Sequence, residues 1–292
     1  MKEEVLESYL EAGRIAARVL SRGKGRIMEG RSLLEAVTTI EQDVVEGEGA
    51  GLAFPLNLSI NEDAAHDTAM HSDGRVFRRG DLVKLDLGVH IDGYIADIAV
   101  TVDLGDHSRL VSSSRDALEA AIAMVRPDTP VGALGGAIQQ AIESQGYHPI
   151  RNLTGHGLDR FMIHTSPTVP NIGISGGPVL REGMVFAIEP FASTGMGVVS
   201  ERPRTEIYQQ IAIKPVRFPA ARSLLESIRS RRGMPFAKRW LQDHKLDLAL
   251  RSLLNAGVIR GYPVLHDIAG SLVSQHEHTL VVTEDGAIVT TR

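Results

Sequence analysis

The segment Lys84-Leu85-Asp86-Leu87-Gly88-Val89-His90-Ile91-Asp92-Gly93-Tyr94-Ile95-Ala96-Asp97-Ile98-Ala99-Val100 places two carboxylates where they could hold a cation. Apolar stretches rich in Val and Ile flank Asp92-Gly93, the strongest short hairpin signal. With Asp92 and Gly93 as the turn, Ile91 faces Tyr94, His90 faces Ile95, Gly88 faces Asp97 and Asp86 faces Ala99. Side chains alternate between the two faces of a strand. Asp86, Gly88, Asp97 and Ala99 therefore share one face, with the two aspartates as diagonal neighbours. Like charges on an apolar face repel unless something positive lies between them. Gly88 and Ala99 are small enough to leave room, and a metal ion is the natural candidate.

Three more side chains could complete such a site. His156 stands between glycines in Thr154-Gly155-His156-Gly157. Glu189 closes the apolar run 184–188 and is followed by Pro190. Glu277 lies in Gln275-His276-Glu277-His278-Thr279. Strand alternation turns His276 and His278 away from Glu277, which gives them a structural role. His90 shares the hairpin face with the aspartates but lies nearer the turn, in a supporting or structural position. The chain has no cysteine, so thiolate ligands, disulfides and a Cys nucleophile are excluded. Any metal must be held by carboxylates and imidazoles.

The elements that must position these residues read as α/β. Val5, Leu6, Tyr9, Leu10, Ile15 and Val19 recur at helical spacing, ending near Gly23. Ser32 with Glu35 forms a capping box for a second helix carrying Leu33, Leu34, Val37, Ile40 and Val44. Strand and turn signals run from Gly49 to Val102, helices return at about 114–125 and 130–145, and strands follow from 148 to about 210. His66 lies 34 residues after Ser32, and His164 lies 34 after Pro130. Gly80 and Gly183 each precede a strand with a carboxylate six residues on, Asp86 and Glu189. This pattern predicts an internal duplication, two α/β halves about a pseudo-twofold axis. From 218 to 263 the texture becomes helical, with breaks at Gly233 and 243–245, and predicts a helical insertion within one domain spanning 1–292. Strand sequence resumes at 272–282, followed by a turn at Glu284-Asp285-Gly286 and a last strand.

A length of 292 residues with 43% hydrophobic and 23% charged residues fits a soluble globular protein with one large core. No apolar run reaches 18 residues and the N-terminus lacks a signal-peptide core, so the expected setting is the cytoplasm, without a membrane partner. A net charge of −5 argues against a wholesale nucleic-acid binder such as a DNA-binding protein. The stretch from Pro219 to Tyr262 is the exception, with nine Lys and Arg against three Asp and Glu. Its Arg229, Arg231, Arg232, Lys238 and Arg239 could contact ribosomal RNA.

The ordered set Asp, Asp, His, Glu, Glu resembles the methionine aminopeptidases, and within them the archaeal type 2 enzymes. The resemblance is carried by Ala53-Phe54-Pro55 with Asn57, Ala64-Ala65-His66, Lys84-Leu85-Asp86-Leu87-Gly88, Ala96-Asp97, Gly155-His156, Phe186-Ala187-Ile188-Glu189-Pro190-Phe191 and Glu277-His278-Thr279. The helical insertion between Glu189 and Glu277 is the type 2 hallmark. The resemblance implies a pita-bread fold and a dinuclear centre in which Asp86 chelates one metal, Asp97 and Glu277 bridge, and His156 and Glu189 complete the second. Such hard donors suit two divalent ions, Co, Mn or Fe, with Zn admissible. It further implies that His66 acts near the scissile amide, that His164 binds the substrate carbonyl, that Glu189 also shuttles protons, and that Phe54 lines the methionine pocket. The implied substrate is the N-terminal Met of nascent polypeptides with a small second residue, the implied state a monomer, and the ribosome a candidate partner. Two alternatives stand beside it: a prolidase-like peptidase of the same fold, and a metal-free module that binds RNA or ribosomes.

Overall fold

An amphipathic helix, α1 (Glu3–Lys24), opens the chain and buries Tyr9, Ala12, Ile15, Ala16, Val19 and Leu20. In α2 (Leu33–Gln42) the Ser32 hydroxyl accepts from the Glu35 backbone N–H at 3.3 Å, as the capping sequence requires. A π-helical turn at Asp43–Gly47 carries Val44. The strands β1 (Gly51–Leu52), β2 (Asn57–Ile60), β3 (Asp63–Ala65), β4 (Leu82–Ile91) and β5 (Tyr94–Asp103) follow. The computed structural model describes residues 1–242 and 244–292. In it β4 and β5 pair in the anticipated register, Asp86 opposite Ala99 and Gly88 opposite Asp97. Helices α1 and α2 cover this sheet, and Leu33, Val37, Ile40, Leu58, Leu85 and Leu87 fill the layer between them.

The second half repeats the plan. Two helices, α3 (Ser108–Ile122) and α4 (Val131–Glu143), precede β6 (His148–Pro149), β7 (Thr154–Asp159), β8 (Met162–Pro170), β9 (Val185–Ile188) and β10 (Phe191–Ser193). Leu118, Leu134, Ile138, Ile142, Phe186 and Ile188 make its core. The first of these helices begins six residues before the sequence expectation of 114. Ser112, Ser113 and Ser114 are weak helix formers and mask the periodicity. The Asp103 carboxylate accepts from the N–H groups of Gly105 (2.8 Å) and His107 (2.7 Å), turning the chain into the helix early. The repeat is also unequal, because Asp86 lies mid-strand in β4 whereas Glu189 falls just beyond β9.

The chain continues through β11 (Ser200–Gln210), α5 (Pro219–Ser227), β12 (Phe236–Ala237), α6 (Leu246–Asn255) and β13 (Ile259–His266), and closes with β14 (Val273–Gln275), β15 (His278–Val282) and β16 (Ala287–Val289). The stretch 218–263 is therefore not wholly helical. Phe236 sits in a strand, and β13 starts at Ile259 and pairs with β11. Leucines at helical spacing are supplied by two short helices packed together over Tyr208, Phe236 and Ile259, while β12 is too short to show alternation and Gly261 and Pro263 interrupt that of β13. Asp243, part of the expected break, lies outside the described residues. The sheet order β12-β11-β13-β3 carries this segment onto the first half, with Leu265 opposite Ala65. Among the described residues no helix is long and apolar enough to cross a membrane.

Two of the five basic residues singled out above are internal. The Arg239 side chain is 5% exposed and ion-pairs with Glu41, while its Nη1 donates to Thr68 Oγ1 at 2.9 Å. Glu41 also accepts from Trp240 Nε1 (2.9 Å) and from the Leu56 N–H (3.1 Å). Arg231 donates to the carbonyls of Ala53 (3.2 Å) and Pro235 (2.7 Å). Lys238 pairs with Asp247 at 2.7 Å, and Arg232 lies 3.9 Å over the Phe161 ring. These contacts fasten the segment to the body of the protein, so the five do not form a common exposed patch. Glu41→Ala strands a buried guanidinium and is expected to cost about 3 kcal/mol or more in urea unfolding followed by circular dichroism. A loss below about 1 kcal/mol would place the pair in the class of exposed ion pairs instead.

Candidate metal centre

The two halves meet along a seam of β5 against the end of the chain. The Glu277 N–H donates to the Ala99 carbonyl at 3.0 Å, and the Ala99 N–H returns a bond to Glu277 at 3.4 Å. The Thr279 hydroxyl accepts from the Asp97 N–H (2.7 Å) and donates to the Asp97 carbonyl (2.9 Å). Two residues further along, Thr101 Oγ1 donates to the Gln275 carbonyl and accepts its N–H, both at 2.8 Å. Pairing β15 with β9 sets His278 opposite Ile188, which brings Glu189 beside Glu277. His156 comes from β7, the other neighbour of β9.

Asp86, Asp97, His156, Glu189 and Glu277 thus line one cleft of about 450 Å³. One ligand atom each of Asp97, His156 and Glu277 lie within 4.8 Å of one another. His156 Nε2 is 3.5 Å from Glu189 Oε1 and 3.7 Å from Asp97 Oδ2, too far for hydrogen bonds. Two donors each about 2.1 Å from one ion stand roughly 3–4 Å apart, so the spacing suits a shared cation. Three buried carboxylate oxygens, Asp86 Oδ1, Asp97 Oδ1 and Glu277 Oε1, have no hydrogen-bond partner. Gln275 Nε2 reaches only weakly toward Glu189 Oε2 (3.4 Å) and Glu277 Oε2 (3.3 Å). The donor set fits a divalent cation.

The electrostatics agree. Burial pushes the Asp86 carboxyl up to about 7. Burial, then the charges of Asp86 and Glu189, hold Asp97 well above the usual carboxylate range. Glu189 is raised by burial and by Asp86, and Glu277 by burial and by Asp97, Glu189 and Asp86. Burial lowers His156 to about 4, which keeps its imidazole neutral and free to ligate.

The remaining anticipated residues surround this floor. Phe54 lines the cleft above Gly88, where an added Cβ would fall 2.2 Å from the ring. His66 follows β3 in a left-handed backbone conformation (φ 63°). Its Nδ1 donates to the Pro263 carbonyl at 3.3 Å, which leaves Nε2 as an acceptor, and burial lowers its pKa to about 4. The His164 ring stands 4.5 Å from that of His156. His90 lies beyond the cleft, nearer the turn, where its Nδ1 accepts from the Gly93 N–H (3.1 Å) to close the hairpin. His276 bonds Ser114 and His278 bonds Thr291, each at 2.8 Å, on the side opposite Glu277. Tyr262 and Arg260 also line the cleft and were not anticipated. They alternate with Gly261 along β13, a signal hidden inside a stretch read as helix. Gln275 could have been found from its position two residues before Glu277 on the same strand face.

Fold and site together define a metal-dependent hydrolase, and comparison with known proteins agrees. The model of metallopeptidase family M24 matches residues 7–284. A methionine aminopeptidase of Archaeoglobus fulgidus is 47% identical over 293 residues, spanning 100% of both chains. The crystal structure of a methionine aminopeptidase from Thermotoga maritima superposes with a TM-score of 0.75 at 26% identity, covering 100% of this chain and 98% of that one. A thermophilic Arx1 structure gives a TM-score of 0.89 over 99% of this chain and 91% of that one, at 19% identity, which speaks for the fold alone. The chain belongs to the methionine aminopeptidases of metallopeptidase family M24. The pita-bread fold is the one the resemblance implied.

The cluster has a consequence for pH. A carboxylate whose folded pKa is raised stabilises the fold below its unfolded value of about 4 and loses that contribution as pH rises through the folded value. For Asp86 the loss runs from about pH 4 to about 7, the folded value. A histidine depressed to about 4, such as His156, works the other way and destabilises the fold as pH falls below about 6.5. A cation relieves the carboxylate repulsion and competes with protons at both ligand types. The rise in Tm on adding Mn²⁺ to chelated protein is therefore expected to be small at about pH 5.5 and large at about pH 8. Differential scanning calorimetry checks this, and a shift that is constant or larger in acid would contradict it.

Proposed function

We propose that this chain removes the N-terminal methionine of nascent proteins and peptides, as a type 2 enzyme with two divalent ions, Mn, Fe or Co, held by Asp86, Asp97, His156, Glu189 and Glu277. The observation that carries the reading is 47% identity, end to end, to a methionine aminopeptidase, with all five candidate ligands gathered in one cleft. Divalent ions so placed supply Lewis acidity and lower the pKa of water. Asp97, from the first half, and Glu277, bonded across the seam to Ala99, would each serve both ions. Glu189, nearest His156, moves the proton from water toward the leaving amine at its carboxylate. His66, neutral with Nδ1 committed to Pro263, accepts a substrate N–H at Nε2. His164 donates to the scissile carbonyl, where charge develops. Phe54 walls the methionine pocket. The segment 218–263, placed between Glu189 and Glu277, supports the type 2 reading as a subdomain of a single catalytic unit. We take the enzyme as a cytoplasmic monomer, since initiator methionine is exposed where chains are made and this chain supplies the whole cleft. For the ribosome, Arg229 and Arg232 are the exposed members of the basic set and would meet phosphate. These relatives favour neither the proline-specific reading nor the non-catalytic one.

Asp97→Ala is expected to lose metal, by elemental analysis, together with activity on Met-Ala-Ser. His66→Ala and His164→Ala should keep their metal while kcat falls about a hundredfold or more. Loss of metal in either histidine variant would make that residue a ligand. Specificity gives a separate check. Met-Ala, Met-Gly and Met-Ser peptides should be cleaved far faster than Met-Lys or Met-Phe, and X-Pro dipeptides hardly at all. Equal rates across the methionine series would remove the small-residue preference.

A further inference from the structure

Apart from the carboxylates on its floor, the cleft is lined by one other charged side chain among the described residues, Arg260. It is exposed at the rim on β13, two residues from Tyr262 and so on the same strand face. The guanidinium carbon lies 4.8 Å over the Tyr262 ring. That ring in turn stands 5.1 Å from His66 and 6.0 Å from His164. The partners that hold Arg260 are neutral. Its Nε and Nη2 donate to Gln209 Oε1 at 3.0 and 2.6 Å, and Nη2 also meets the Tyr262 hydroxyl. Gln209 is itself anchored, donating from Nε2 to the Gly233 carbonyl at 2.8 Å and accepting from the Tyr262 hydroxyl at 2.6 Å. A guanidinium has five N–H donors, and those on Nη1 meet no protein acceptor among the described residues. An oriented cation with no carboxylate partner therefore stands at the mouth of a cleft whose floor is acidic.

We propose that Arg260 is a specificity-determining residue, which binds a carboxylate that the substrate carries beyond the scissile bond. The carboxylate is either an Asp or Glu side chain at the third or fourth residue or the free C-terminus of a short peptide. The inference rests on the methionine-removal reading. A peptide whose scissile amide lies between the carboxylate floor and the two histidines leads its remaining chain out past Tyr262. Its anionic group then meets the guanidinium at the rim, while the floor carboxylates are taken up by the metal ions. The free N–H groups of Arg260 can meet a carboxylate in the paired geometry that guanidinium favours. Because the rim is open to water, the preference is modest, about two- to fivefold, and salt screens it.

The test measures kcat and KM on Met-Ala-Ser-amide, Met-Ala-Ser with a free C-terminus, Met-Ala-Asp-Ser-amide and Met-Ala-Lys-Ser-amide. Metal-loaded wild type is compared with Arg260→Gln, Arg260→Lys and Arg260→Glu, each normalised to its own value on Met-Ala-Ser-amide. Wild type should favour a carboxylate peptide about two- to fivefold, mainly through KM, and the gain should fade at about 0.5 M salt. The ratio should drop to near one in Arg260→Gln, survive in part in Arg260→Lys, and invert toward the lysine peptide in Arg260→Glu. A gain confined to the free C-terminus would assign the site to short peptides, and one on the Asp peptide to longer chains. Identical ratios in wild type and Arg260→Gln would overturn the proposal. Failure of wild type to cleave any of the four would overturn the methionine-removal reading beneath it.

Discussion

Asp86, Asp97, Glu189 and Glu277 line one cleft with no cationic side chain between them among the described residues, and the architecture depends on holding them there. Burial raises all four carboxyls, Asp86 to about 7, and the charge of neighbouring carboxylates raises Asp97, Glu189 and Glu277 further. Such a cluster resists being assembled, so the backbone around it has to be over-determined. The seam between the halves meets that need. Thr279 clamps the backbone of Asp97 from both sides, Thr101 does the same for Gln275, and Glu277 is bonded through its own main chain to Ala99. The first half supplies two carboxylates from adjacent strands and the second two from the ends of β9 and β15, and the helix pairs α1–α2 and α3–α4 back those strands from behind.

Above this floor the cleft changes character. His66, with Nδ1 committed to a backbone carbonyl, and His156, flanked by carboxylates, both stay neutral near pH 7. Neutral imidazoles can ligate a cation or orient an amide without adding charge to an already crowded site. Positive charge appears only at the rim, on Arg260, held by Gln209 and Tyr262. The long strands β11 and β13 deliver both the rim and the support for His66, through their pairing with β3. The segment between Glu189 and Glu277 is thus a wall of the cleft as well as a link in the chain, and the Glu41–Arg239 pair fastens it to the first half.

The hairpin carrying Asp86 and Asp97 was legible to the residue, because the Asp92-Gly93 turn fixes register and alternation fixes the shared face. Helices α1 and α2 were legible from periodicity and the Ser32 cap. The early start of α3 was not, since its first turns are serine-rich and are set by the Asp103 side chain rather than by an apolar stripe. The segment 218–263 was read only in part. Its leucines gave the helices, but β12 is two residues long and β13 is interrupted by Gly261 and Pro263. That misreading hid Tyr262 and Arg260. It also counted Arg231 and Arg239 as surface charge, although their partners Ala53, Thr68 and Glu41 lie over a hundred positions away in sequence. Periodicity reports which face is apolar, and not which charged side chain will find a distant partner.

The cleft holds its carboxylates for a cation, and protons occupy them in its absence. Isothermal titration calorimetry of metal-stripped protein with Mn²⁺, at about pH 6.5 in buffers of differing ionisation enthalpy, tests it directly. Net proton release is expected, seen as a heat that varies linearly with buffer enthalpy, and it should be lost in Asp97→Ala. Identical heats in every buffer would mean that the carboxylates are already ionised before the metal arrives, which would contradict it.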